Sequence, residues 1–143
     1  MKKTFASHLY RRLISYGLRV FLDYQELQEG EELTGQIKGA IRTASIHVAI
    51  FSPTYADSNW CLDELLFMLE SGAPIIPVFH HVEPADLRWT QGEGVYARSL
   101  RNLEKKRAYD SQPRYNSKTI EIWRNALSSA ADISGLDLKA FDG

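Results

Sequence analysis

The sequence predicts an α/β domain built on a mainly parallel sheet. Three observations carry that reading. Short apolar runs at 19–23, 46–52 and 74–81 alternate with segments of helical period at 33–43 and 59–71, as in parallel strands joined by crossover helices. The run "IHVAIFS" at 46–52 hardly alternates, as expected of a strand buried on both faces. The chain has 143 residues, enough for one domain with a real core and too few for two.

The elements follow in order. Phe5, Leu9 and Leu13 recur every four residues, with Tyr10 and Ile14 beside them and Gly17 as a stop, so 3–16 reads as an amphipathic helix. "RVFLD" at 19–23 is a strand candidate, and the acidic stretch 24–33, centred on Gly30, is a loop. Leu33, Ile37, Ala40 and Ile41 mark a helix over 33–43. After the strand at 46–52, "PTYADSN" is a loop rich in capping residues. A helix over 59–71 carries Leu62, Leu65, Leu66 and Leu69 as its apolar stripe, and Gly72 ends it. "PIIPVFHH" at 74–81 is a third strand, which Pro77 should confine to an edge or a bulge. Residues 82–92 read as irregular and 94–107 as a basic helix. Ile120, Trp123, Leu127 and Ala130 mark a last helix over 117–131, and Leu136–Leu138 a short final strand. The chain opens directly in a helix, so the N-terminus reads as cut short by one strand.

Composition narrows the function. Hydrophobic residues are 44% and charged residues 24%, ordinary for a globular domain. A net charge of -1 provides no global field toward nucleic acid or membrane. No apolar run approaches the roughly 20 residues of a membrane span. The start "MKKTFASHLYRRL" places charges where a secretion signal needs an apolar segment, so the expected location is cytoplasmic. One cysteine rules out an internal disulfide.

The residues that could carry chemistry gather at "SNWCLDELL". Trp60, Cys61, Asp63 and Glu64 open the helix there. In open parallel sheets, ligands bind beyond the carboxyl ends of the strands, the rim that this helix start shares with Asp23 and the acidic loop. Glu64 lies one turn after Trp60 on the same face and about 200° around from Leu62, so it is expected to point into the rim cleft. Asp63 is explained by the helix dipole. Cys61 has no neighbouring His to activate it, which favours a packing thiol. His80 and His81 are neighbours on a strand, so they should face opposite sides and share no metal. Arg98, Arg101, Lys105, Lys106 and Arg107 form a basic helix end, read as a solvated face; thin aromatic interleaving argues against a nucleic-acid surface.

"KKTFASHLYRRLISYGLRVFLDYQELQEGEEL", "AIRTASIHVAIFSPTYADSNWCLDEL" and "IIPVFHHVEPADLR" resemble the Toll/interleukin-1 receptor (TIR) domain of plants across nearly the whole chain. The resemblance implies a flavodoxin-like fold, a parallel sheet of order 2-1-3-4-5 flanked by helices, here as a single domain over 1–143 without the family's first strand. That strand is central, so its loss should open a slot in the sheet. Each buried backbone group left without a partner costs about 1–3 kcal/mol, against a total stability of about 5–15 kcal/mol. The resemblance also implies NAD+ as substrate, with no cofactor and no metal, and Glu64 as the catalytic carboxylate. Trp60, Cys61 and Leu27 would pack around the nicotinamide side, with a polar contact from Asp23. Ser7–His8 resembles the family's self-association motif, and other TIR domains would be the partners, the acidic loop of one subunit completing the cleft of the next. An NAD+ hydrolase of plant immune signalling is the first reading. The second, an interaction module without turnover, is favoured by the missing strand. A phosphoacceptor receiver domain is excluded, because Asp23 stands alone where such domains cluster aspartates.

Overall fold

In the computed structural model, residues 2–23, 35–113, 115–133 and 136–137 are described. The chain runs α1 (Lys2–Ser15), β1 (Val20–Asp23), α2 (Gly35–Thr43), β2 (Ile46–Phe51), a 3-10 turn (Tyr55–Asp57), α3 (Asn59–Ser71), β3 (Ile75–Phe79), α4 (Pro84–Arg88), α5 (Val95–Tyr109), α6 (Ser117–Ala131) and β4 (Leu136–Asp137). Among the described residues, four strands lie parallel in the order β1-β2-β3-β4. This is the α/β class read from the sequence. The expected loop over 24–33 lies outside the described residues.

Two glycines stop helices as expected. Gly17 and Gly72 take φ of 81° and 79°, the left-handed conformation that costs a side-chain-bearing residue about 1–2 kcal/mol. Their amides close the last turns on the carbonyls of Ile14 and Leu69.

Strand side chains sort the core into two layers. Val20, Leu22, Val48, Ile50, Ile76 and Val78 face α1, packing with Leu9 and Leu13. Phe21, Ala49, Phe51, Ile75 and Phe79 face the other way, under a larger core that includes Leu65, Met68, Tyr96, Leu100, Trp123 and Leu127. The absence of alternation in β2 is thus explained: both of its faces are covered.

The structure corrects three expectations. No slot separates β1 from β2; they pair directly, Val20 with Ile46 through Asp23 with Ala49. Pro77 neither confines β3 to an edge nor forces a bulge. β3 lies between β2 and β4, with continuous register from His47–Ile75 to Phe51–Phe79. The His47 amide donates to the Pro74 carbonyl and the His80 amide to Phe51, each at 2.9 Å. The parallel pattern alternates between these points, so the missing donor of Pro77 falls on the side away from β2. There β4 pairs only with Val78 and Phe79. Finally, 82–92 is not wholly irregular: α4 forms with Pro84 in its first turn and a capping box between Glu83 and Asp86.

One buried polar group makes the fold sensitive to acid. His47 is 0% exposed, and its Nε2 lies 2.9 Å from the Ile41 carbonyl, to which it donates. Its Nδ1 is buried without a hydrogen-bond partner. Phe21 packs edge to face on the ring at 6.0 Å. Burial lowers its pKa below the ordinary 6.5. The folded state therefore resists a proton that the unfolded state accepts once pH falls below 6.5. Stability is full above that pH and declines as pH drops toward the lowered folded value. The urea midpoint should fall between pH 7.5 and 5.5, and fall less in His47→Gln; equal slopes in both proteins would remove His47 as the cause.

Candidate functional site

The site is built where β2 hands the chain to α3. Ser58, in extended conformation, caps α3: its Oγ accepts the Trp60 amide at 3.1 Å. Tyr55, in the 3-10 turn, is fully buried and donates its hydroxyl to the Cys61 carbonyl at 3.0 Å. The start of α3 is therefore fixed by its own cap and by the preceding turn.

On this helix the leucine stripe anticipated from the sequence holds at Leu62 and Leu65, 1% and 0% exposed, and not at its other two positions. Leu66 and Leu69 are only half-buried, whereas Cys61, Glu64, Leu65 and Met68 are buried. Those four fall at i, i+3, i+4 and i+7, one helical face. Glu64 therefore sits within an apolar stripe, 3% exposed, and not at an open rim. Cys61 and Met68, both apolar and fully buried, carry the buried face around from Leu62 and Leu65 to Glu64. A carboxylate at such a position carries a desolvation cost that an apolar side chain would avoid, a pattern common where the group has a chemical task.

The other predicted residues divide. Trp60, 6% exposed, and Cys61 belong to the core cluster, and Cys61 is a fully buried thiol, in keeping with its reading as a packing residue. Asp23 ends β1, its side chain outside what is described, and Leu27 lies outside the described residues. Ser7 is half-buried and His8 exposed on α1. The structure thus brings Trp60, Cys61 and Glu64 together and leaves Ser7 and His8 on α1. A pocket of about 550 Å³ lies on α1, lined by His8, Leu9, Arg11, Arg12 and Ser15.

Asp63 has a role that the sequence did not reveal. It lies beyond the first turn of α3, so the helix dipole does not explain it. Its Oδ1 accepts the indole Nε1–H of Trp123 at 3.1 Å, tying α3 to α6. The two histidines also depart from expectation. β3 ends at Phe79, His81 takes a positive φ of 61°, and the rings of His80 and His81 meet edge to face at 4.2 Å. Among the described residues, no group of three or more His, Cys, Asp or Glu could hold a metal ion. On α5, Arg107 pairs with Glu104 and holds that carboxyl below its ordinary range, while Arg101 donates to the Gly92 carbonyl at 2.7 Å. Part of the basic run is thus committed within the fold.

A parallel sheet sandwiched between α1 and the remaining helices, with a buried carboxylate on the helix that follows a strand's carboxyl end, defines an α/β domain of the flavodoxin-like kind. The chain belongs to the TIR domain family, whose family model matches residues 1–143. It is 48% identical over 86 residues to a probable 2' cyclic ADP-D-ribose synthase, BdTIR, of Brachypodium distachyon, covering 60% of this chain and 38% of that protein. It is 34% identical to TMV resistance protein N of Nicotiana glutinosa, covering 94% of this chain and 11% of that protein. It is 36% identical to disease resistance protein RPV1 of Vitis rotundifolia, covering 94% of this chain and 9% of that protein. The chain thus spans well under half the length of these relatives. Among solved structures, the TIR domains of the activated Roq1 resistosome directly recognizing the pathogen effector XopQ match with a TM-score of 0.74 and 35% identity. That match covers 99% of this chain and 84% of that one. Among the described residues, no helix is long and apolar enough to cross a membrane.

Proposed function

We propose that this chain hydrolyses NAD+, releasing nicotinamide and ADP-ribose-derived signals in plant immune signalling, with Glu64 as the catalytic carboxylate. The observation that carries the proposal is the burial of Glu64 in the Cys61–Leu65–Met68 stripe, 3% exposed, at the start of the helix after β2. The similarity to a protein named as a cyclic ADP-ribose synthase supports it.

The chemistry suits a sparse site. The nicotinamide of NAD+ is already a cationic leaving group. The C1′–N bond breaks with its electron pair going to nicotinamide, which departs neutral and needs no acid. Positive charge develops on the ribose, and one preorganised carboxylate opposes it. Water then adds to C1′ and gives up a proton. Trp60, with Leu27 and Asp23, would complete the substrate-facing wall, and Cys61 would back it from the core. NAD+ is a substrate here, and the reaction calls on no resident cofactor or metal.

The second reading is an assembly module without turnover, acting through other TIR domains. Similarity to TIR domains of a resistosome favours it, and His8, exposed on α1 beside Ser7, is the candidate contact. Nicotinamide release measured across a range of protein concentrations separates the two. A rate per molecule that climbs with concentration is expected of the hydrolase acting as a cytoplasmic oligomer. Self-association with no nicotinamide at any concentration would leave the module.

A further inference from the structure

We infer that Tyr55 and Tyr96 are positioning residues for Glu64, linking α5 to the start of α3 through two main-chain carbonyls. The inference rests on the hydrolase reading of Glu64.

The link can be followed atom by atom. Tyr96, in the first turns of α5, is fully buried and donates its hydroxyl to the Ser52 carbonyl at 2.7 Å. Ser52 directly follows β2. Three residues on, Tyr55 donates its hydroxyl to the Cys61 carbonyl at 3.0 Å. Cys61 lies three residues before Glu64, and both are on the buried face of α3. The rings reinforce the path: Tyr55 packs on Phe51 at 4.7 Å and on Tyr96 at 6.5 Å. Ser99, one turn along α5, donates to the Asp57 carboxylate at the end of the 3-10 turn.

Neither carbonyl needs the tyrosine to be satisfied. The Ser52 carbonyl already accepts the Tyr55 amide at 3.1 Å. The Cys61 carbonyl is available to the amide four residues on within α3. A carbonyl has two lone pairs, and in both cases the hydroxyl takes the second. These bonds therefore set direction more than they rescue a buried acceptor. Two of them, one just after β2 and one in the first turn of α3, fix both the translation of the connecting segment and the roll of the helix it feeds. An error in that roll moves a carboxylate three residues further on, and small displacements of a reacting group are expensive in rate.

The test is Tyr55→Phe and Tyr96→Phe, each removing one oxygen and leaving the rings in place, in the purified protein with NAD+. Each should lower kcat by about tenfold with KM within about twofold. The double variant should lose less than the product of the two, because both act on one segment. Amide exchange in the first turns of α3 should quicken in Tyr55→Phe while the exchange of α6 stays as it was. An unchanged kcat in a protein that Glu64→Gln inactivates would overturn the inference. If Glu64→Gln itself turns over normally, the assignment of Glu64 as the catalytic carboxylate fails, and amide exchange then decides for the tyrosines alone. Unchanged exchange in α3 would overturn their positioning role.

Discussion

Glu64→Gln should abolish nicotinamide release while leaving the protein folded. The loss expected is about 100-fold or more in kcat, the scale of removing one preorganised electrostatic group from a transition state. The amide keeps the size and shape of the carboxylate, so the 3%-exposed position remains filled. It also removes a buried charge-bearing group, so the urea midpoint should hold or rise slightly. This combination separates a chemical role from a structural one. A structural carboxylate would register in unfolding and leave turnover proportionate to folded protein. Nicotinamide release by Glu64→Gln at the parent rate would remove the residue from the mechanism.

The largest effect on stability should come from Trp123→Ala. Trp123 is 1% exposed, packs against Tyr115 at 5.0 Å, and donates its indole N–H to Asp63. Truncating a buried Trp costs about 3–5 kcal/mol. That is a third or more of the stability of many domains, which totals about 5–15 kcal/mol. Trp123→Phe keeps most of the packing and gives up the bond to Asp63, which should cost about 1 kcal/mol beyond the lost ring volume. Urea unfolding of both, together with Asp63→Asn, apportions the two contributions. A shift below about 1 kcal/mol in Trp123→Ala would show that the α3–α6 contact is dispensable.

Much of this architecture was legible locally. Gly17 and Gly72 announce their helix ends because only a glycine takes a left-handed turn cheaply. Residues 46–51 announce two-sided burial because nothing polar interrupts their apolar run except His47. That residue is accommodated by a single carbonyl of α2. What the sequence concealed is set by contacts between distant segments. Asp63 and Trp123 are 60 residues apart, and periodicity tells which faces are apolar, not which faces meet. On α3, Leu62 and Leu65 mark buried positions as their spacing indicates, but Cys61 and Met68 carry the buried face around to Glu64, which a pattern of leucines does not show. α4 carried its signals in "EPAD", an acidic cap, a proline and a returning carboxylate, but five residues are too few for a period to show. His81 could not be placed on a strand face, because the strand ends two residues earlier. The roles proposed for Leu27 and Asp23 come from the resemblance alone, because neither spacing nor periodicity fixes the side chains at the end of β1 and beyond it.

The layering of the sheet has a consequence for how such a chain can diverge. Six strand residues on one side, from Val20 to Val78, rely on Leu9 and Leu13 of α1. The opposite side of that helix, with His8, Arg11 and Arg12, faces outward. Selection for folding therefore holds one flank of α1 nearly fixed and leaves the other almost unconstrained. Duplicated copies of such a gene can rewrite the outer flank residue by residue, changing its charge and shape, while the buried flank and the sheet beneath it stay the same.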